Sequence, residues 1–276
     1  MRKRSTGDEI GRWSEVRLQI IKEYASAYSR ILSKQPRMHH VYIDGFSGKG
    51  WHRARGTERF VKGSPLNALA VDPPFKRYYF VDLDSNKVDN LREKVKDRQD
   101  VEVYGGDCNQ VLPQKVFPQV DYSEYRRGLC LLDPYGMHID WSTVKAAAEK
   151  KTIELFINFS IMDINMNVVR DHPDRISLAE IQRMDKCWGD HSWFDLLYAP
   201  QPDFFDEAHC HRKATANRAL PKAYGERLRE DAGFAHVLSP LPMRNSTGAV
   251  VYYLYFASHK PVAKGIVSDI FRKWSD

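Results

Sequence analysis

Cysteine is scarce in this sequence, and the four that occur, Cys108, Cys130, Cys187 and Cys210, are scattered with no CxxC pair. A disulfide framework is therefore not expected, and a reducing cytoplasm is the setting that fits. Cys187, His191, Cys210 and His211 can be drawn together as zinc ligands, but their spacings match no common finger, so no metal is expected. Long hydrophobic runs are missing too. Without a stretch of 18 apolar residues or a signal-peptide core, the chain is expected to be neither membrane-spanning nor secreted. Nor does one sign of charge dominate: 42 Lys and Arg against 36 Asp and Glu leave a net charge of +6 and a pI near 9.0. That excess permits an acidic partner such as nucleic acid without demanding one.

What is present is ordinary for a soluble globular chain, 42% hydrophobic and 28% charged. Its 276 residues suit one domain, residues 1–276, with room for an insertion. The informative stretch is His40-Val41-Tyr42-Ile43-Asp44-Gly45-Phe46-Ser47-Gly48-Lys49-Gly50. The β-branched and aromatic run predicts a buried strand with Asp44 at its carboxyl end and a glycine loop after it. Glycine carries no side chain to block a ligand, so Asp44, Gly45, Phe46 and Gly48 are candidate cofactor contacts.

Upstream, apolar residues from Trp13 to Leu32 recur at helical spacing and predict an amphipathic helix behind a frayed basic arm. Downstream, Gly50 to Ser64 reads as a long loop rich in aromatic and cationic residues, with Trp51, Arg53 and Arg55 as candidate substrate contacts. Ser64 before Pro65 reads as a hydroxyl N-cap. Arg77 to Asp84 is a second strand ending in carboxylates. Asp82 is the candidate partner for ribose hydroxyls, with Asp84 as the fallback. A third strand ends at Asp107, a candidate for an adenine amine or a cap on the next helix. Gly128 to Leu132 runs apolar into Asp133-Pro134-Tyr135-Gly136, and Leu155 to Ser160 ends in polar Asn158 and Ser160, two further substrate candidates. Residues 162–232 break the rhythm and predict a helical insertion over the site. Ala235 to Met243 and Gly248 to Ser258 predict an antiparallel hairpin, covered by a helix from Gly265 to Trp274.

These strand ends, in this order, resemble the class I S-adenosylmethionine-dependent methyltransferases. The resemblance implies a Rossmann-like α/β fold: a mostly parallel seven-stranded sheet with a C-terminal antiparallel hairpin. Asp133-Pro134-Tyr135 resembles the (Asp/Asn/Ser)-Pro-Pro-(Tyr/Phe) motif of amino methyltransferases, except that the second proline is absent and Gly136 follows the tyrosine. The combination YIDGFSGKG, GSPLNAL, FVDLD, LLDPYG, INFS and YYLYFASHKP is similar to the three-Cys-motif partner (TcmP) family over residues 15 to 274. That resemblance implies a methyltransferase-like fold, a bacterial or phage setting, and a neighbour similar to radical S-adenosylmethionine enzymes.

Two functions follow as expectations. One is a methyltransferase using S-adenosylmethionine, with Asp133, Pro134 and Tyr135 as the catalytic set and an amino group of DNA or RNA as acceptor. The other is a non-catalytic partner subunit of a three-Cys-motif protein. A nicotinamide-dependent oxidoreductase fits less well, because its sheet would stay parallel to the edge.

Overall fold

A computed structural model of the chain describes residues 9–198 and 208–275, with residues 208–215 described by their backbone alone. Strand β1 (Glu9–Ile10) and the long helix α1 (Arg12–Ser33) lead into β2 (His39–Asp44). Then come β3 (Trp51–Ala54), β4 (Phe60–Lys62), α2 (Ser64–Leu69), β5 (Arg77–Asp82), α3 (Ser85–Val95), β6 (Val101–Gly105) and α4 (Cys108–Val111). After β7 (Arg126–Leu132), α5 (Trp141–Glu149) and β8 (Ile153–Phe159) follow α6 (Ile161–Asn167), α7 (Leu178–Trp188), α8 (Ser192–Tyr198) and α9 (Ala208–Glu230). The chain closes with β9 (His236–Val237), β10 (Leu241–Arg244), β11 (Val250–Ser258) and α10 (Pro261–Lys273).

The main sheet has the order β10-β11-β8-β7-β2-β5-β6, with β9 pairing the far end of β11. Strands β8, β7, β2, β5 and β6 are parallel, while β11 runs antiparallel to both β8 and the edge strand β10. This is the strand order of the class I methyltransferase fold, and the Rossmann-like expectation holds. The chain starts mid-sheet at β2, moves out through β5 and β6, then crosses back to β7. A crevice therefore opens between the carboxyl ends of β2 and β7, where open α/β sheets bind ligands.

Both faces of the sheet are covered, which is why its central strands read as near-continuous apolar runs. On one face Tyr42, Phe80, Leu129, Leu131 and Phe156 pack with Ile20, Ile21 and Tyr24 of α1 and Val267 of α10. On the other, Ile43, Cys130, Leu132, Leu155 and Ile157 pack with Val144, Ile164, Met184, Trp188, Trp193 and Tyr224. The helices within residues 162–232 thus share the core of the sheet. Arg227 fastens them, its guanidinium 5.1 Å from the Trp141 ring centroid and 5.5 Å from that of Trp188. Among the described residues no helix is long and apolar enough to cross a membrane.

Four local expectations need correcting. The segment from Gly50 to Ser64 is not a loop: β3 and β4 form a hairpin, and β1 adds to β3 in parallel. Its strands, Trp51-His52-Arg53-Ala54 and Phe60-Val61-Lys62, are short and mostly polar, so no apolar alternation marked the hairpin. The basic arm is accordingly anchored at Glu9 and Ile10, while residues 1–8 lie outside the described chain. Ser64 is not the N-cap of α2. Gly63 occupies that position, and Ser64 stands one residue inside the helix, where its hydroxyl serves Asp44. Helix α10 begins at Pro261, because proline fits the first turn of a helix.

Candidate active site

The glycine loop is strapped into the crevice by backbone bonds to the strands on either side. The Gly45 amide donates to the Leu131 carbonyl at 3.0 Å, and the Ser47 amide to the Val81 carbonyl at 2.9 Å. The Gly48 amide donates to Asp82 Oδ2 at 2.7 Å. Gly48 has φ +65°, a left-handed conformation that favours glycine, and a Cβ there would meet nothing within 4 Å. The loop is thus held open over the crevice rather than filled by it. A side chain at Gly45 would instead strike Leu132 at 2.9 Å.

Asp44, at the end of β2, is fully buried. Its Oδ1 accepts from the Phe46 amide at 3.1 Å, and Oδ2 has no hydrogen-bond partner among the described residues. Burial pushes the carboxyl up to about 7, assisted by the nearby Asp133 and Asp82 carboxylates and opposed by the Ser64 hydroxyl and the Phe46 amide. Asp82 closes β5 and uses both oxygens, Oδ2 for Gly48 and Oδ1 for the Asp84 amide at 2.9 Å. Asp84 caps α3, accepting from the Asn86 amide at 2.9 Å, so the fallback residue is a structural one. Asp107 likewise caps α4, accepting from the Asn109 amide at 2.9 Å, while its side chain lines the cleft.

The cleft above these strand ends has a volume of about 900 Å³. Gly45, Phe46, Gly48, Asp82, Asp107, Asp133 and Tyr135 all border it. Seven of the candidate residues, drawn from four strand ends, therefore converge on one cavity. Trp51, Arg53 and Arg55 do not. Strand alternation turns His52 of β3 to the cleft and its neighbours away. Arg53 pairs with Glu58, and the Arg55 guanidinium lies 5.4 Å from the Trp13 ring centroid. Ser160 sits at the start of α6 and makes no capping bond with its side chain.

Asp133 is held in a way that its own stretch of sequence does not disclose. Arg17 of α1 grips it with both terminal nitrogens, at 2.6 Å to Oδ1 and 2.5 Å to Oδ2. Asn158 Nδ2 donates to the same Oδ1 at 2.9 Å. A carboxylate offers about four lone-pair sites, so three donors leave room for roughly one more on Oδ2. Burial works against the Arg17 charge, but Asp133, Tyr252 and Asp44 outweigh it and raise the guanidinium above its ordinary pKa. Arg17 carried one sequence signal: it falls on the buried stripe of α1 with Ser14, Leu18, Ile21 and Tyr24. A cation in such a stripe requires a buried anion.

Beyond Asp133, Pro134 is buried and Tyr135 is 91% exposed. Gly136 follows the tyrosine in a left-handed turn. It has φ +83°, and a Cβ on it would lie 2.7 Å from Asp163 Oδ2. That oxygen accepts from the Met137 amide at 3.1 Å and pairs with Arg183 of α7 at 3.1 Å. Asn109 completes the brace, donating to the His138 carbonyl at 3.0 Å and accepting from the Asp140 amide at 2.9 Å. Neither Asn109 nor Asp163 belonged to a recognisable motif. Cys108 borders the cleft, but burial pushes its thiol up to about 12, which keeps it protonated and poorly nucleophilic. Among the described residues no group of three His, Cys, Asp or Glu could hold a metal ion.

No protein-family model matches the chain, and no curated protein matches it either. Among solved structures it is similar to protein LPL1258 of Legionella pneumophila, of family-model DUF519. That pair shares 13% identity, covers 94% of this chain and 92% of the other, and has a TM-score of 0.50. Weaker likenesses include the DszA carbon methyltransferase, 14% identical over 89% of this chain and 54% of that one, TM-score 0.46. Another is Aeropyrum pernix fibrillarin with bound S-adenosyl-L-methionine, 11% identical over 86% and 76%, TM-score 0.37. At these identities the likeness concerns the fold alone.

Proposed function

We propose that the chain is a methyltransferase that binds S-adenosylmethionine in this cleft and methylates an amino group of nucleic acid. The observation that carries the reading is the convergence of Gly45, Phe46, Gly48, Asp82 and Asp107 on one cavity that also takes in Asp133 and Tyr135, with Asp44 buried beneath the loop. The volume lies in the range of small-molecule sites. Carboxylates around the cavity suit a ligand bearing positive charge, and the unpartnered Asp44 Oδ2 beneath the loop suits one bearing hydrogen-bond donors. A pyrophosphate suits it less, because the glycine loop runs into β3 and not into the N-terminus of a helix, which binds phosphate in dinucleotide folds.

Asp44, Gly45, Phe46 and Gly48 would line the cofactor's near side, with Asp82 toward its ribose and Asp107 toward its adenine. When bound, S-adenosylmethionine supplies an electrophilic methyl group. The chain's own work is alignment of the acceptor nitrogen, which provides most of the acceleration in such a transfer. Asp133, locked by Arg17 and Asn158, presents one remaining lone-pair site to an amine N–H, and the Pro134 carbonyl offers a second acceptor beside it. Exposed Tyr135 offers a ring on which a base can stack. Lys87 and Lys186 on the cleft walls suit phosphates.

Calorimetry with S-adenosylmethionine tests the reading first, and absence of heat at millimolar ligand would refute it. Methyl transfer to short DNA and RNA oligonucleotides, compared between wild type and Asp133→Ala, tests the acceptor. One observation favours a second reading, a non-catalytic partner of a three-Cys-motif protein: the Arg17 fork already neutralises Asp133. In that case Asp133→Ala would leave the biological output intact.

A further inference from the structure

A second cavity, of about 300 Å³, lies at the opposite pole of the sheet. It is bounded by the carboxyl half of α1, the first residues of β7 and β8, and the entry to α10, and it shares no lining residue with the cleft. Strand β7 runs from Arg127 at this cavity to Leu132 beside Asp133, about 16–20 Å at the usual rise per residue.

The walls are mostly apolar, with Leu32, Met38, Ile153, Val262 and Ile266 among them. Polar groups converge on this apolar space. Glu154 is 8% exposed and accepts from the hydroxyls of Tyr24 and of Ser258, the latter at 3.2 Å. The buried Tyr28 hydroxyl has no hydrogen-bond partner among the described residues. Arg127 is buried under the ring of Tyr122, 4.3 Å from its centroid, and Lys151 and Lys260 stand at the exposed rim. Among the described residues, none of these three cations makes an ion pair with a carboxylate. Three cations against the single carboxyl of Glu154 leave the lining positive. Burial pushes that carboxyl up to about 7, so near neutrality it also opposes an anion less than an ordinary glutamate would.

A small apolar pocket with a few convergent polar groups is the usual form of a ligand site. An apolar wall next to cations that have no carboxylate partner among the described residues selects a molecule that is itself apolar at one end and anionic at the other. We propose that this cavity is a second ligand site, for a small organic anion with a flat or aliphatic body and one carboxylate-type head. The body lies among Leu32, Met38, Ile153 and Val262, and the head meets Arg127, Lys151 and Lys260. The site is independent of whether the cleft binds S-adenosylmethionine.

The test is titration of the full chain with 2-naphthoate, followed by calorimetry and by the probe's fluorescence, with 2-naphthylmethanol as its neutral counterpart. Val262 is 62% exposed, so Val262→Trp can block the cavity without disturbing the core. The double variant Lys151→Glu, Lys260→Glu reverses the rim charge at two exposed positions. Thermal unfolding verifies that both variants fold. Expected are saturable one-to-one binding of 2-naphthoate, about tenfold weaker binding of the alcohol and of 2-naphthoate to the charge-reversed variant, and loss of binding in Val262→Trp. Absence of saturation at millimolar 2-naphthoate, equal binding by Val262→Trp, or an alcohol that binds as tightly as the acid would overturn the proposal.

Discussion

Replacing Asp44 by asparagine should stabilise the protein, and by an amount that grows with pH. Burial carries this carboxyl from 3.8 in the unfolded chain to about 7 in the folded one. Below about pH 4 both states hold the proton and the contribution vanishes. Between there and pH 7 the folded state binds more protons than the unfolded one, so stability falls as pH rises. At about 1.4 kcal/mol per unit, the buried carboxyl disfavours folding by under about 2 kcal/mol at pH 5 and by about 4 kcal/mol at pH 8. Asp44→Asn removes the titration. Its amide must still sit where Oδ2 has no partner, a local penalty that is the same at both pH values and cancels in the comparison. Glu154, also raised to about 7, titrates in both proteins and cancels as well. Urea unfolding of wild type and variant at pH 5 and pH 8 is the assay. The variant's advantage should increase by about 2–3 kcal/mol between the two. An advantage that is the same at both pH values would show that Asp44 titrates normally and that the reasoning is wrong. Calorimetry on the same variant should show weakened cofactor binding, since the site would be stabler but have lost its buried anion.

Three further outcomes are expected. Arg17→Met leaves Asp133 without its fork and should destabilise the fold by about 3–5 kcal/mol; adding Asp133→Asn should recover much of that loss, measurable as coupling in a double-mutant cycle of chemical denaturation. Gly136→Ala forces a side chain into a left-handed turn and against Asp163, with an expected loss of about 1–3 kcal/mol in thermal unfolding that shrinks in an Asp163→Ala background. Tyr135→Ala, at an exposed position, should leave stability within about 0.5 kcal/mol and cofactor binding unchanged. The same variant should weaken oligonucleotide binding by about 1–3 kcal/mol, which salt-controlled titrations would detect.

Much of the fold is local information, and the sequence alone determined it. Apolar runs closed by carboxylates announced β2, β5 and β7, because a strand covered on both faces must be apolar throughout and its ligand-facing end must be polar, while the edge strand β6 was marked by the glycines and Asp107 that end it. The helical stripe of α1 and the antiparallel β10–β11 edge were legible for the same reason: side-chain periodicity follows backbone geometry. Asp44, Gly48, Asp82, Asp107 and Asp133 could be placed at one edge because parallel strands align all their carboxyl ends. What only the tertiary structure decided is how those groups are held. Arg17 and Asp133 are 116 residues apart, and the lock between them exists because α1 lies across the end of β7. Asp163 reaches Gly136 from α6, and Asn109 reaches His138 from α4. The hairpin beside the glycine loop turned His52 inward and took Arg53 and Arg55 out of the site, since alternation on a strand assigns neighbouring residues to opposite faces. Sequence periodicity fixes which way a side chain faces on its own element. Which distant group it meets there depends on how the elements pack, and the restraint on Asp133 arises at that level.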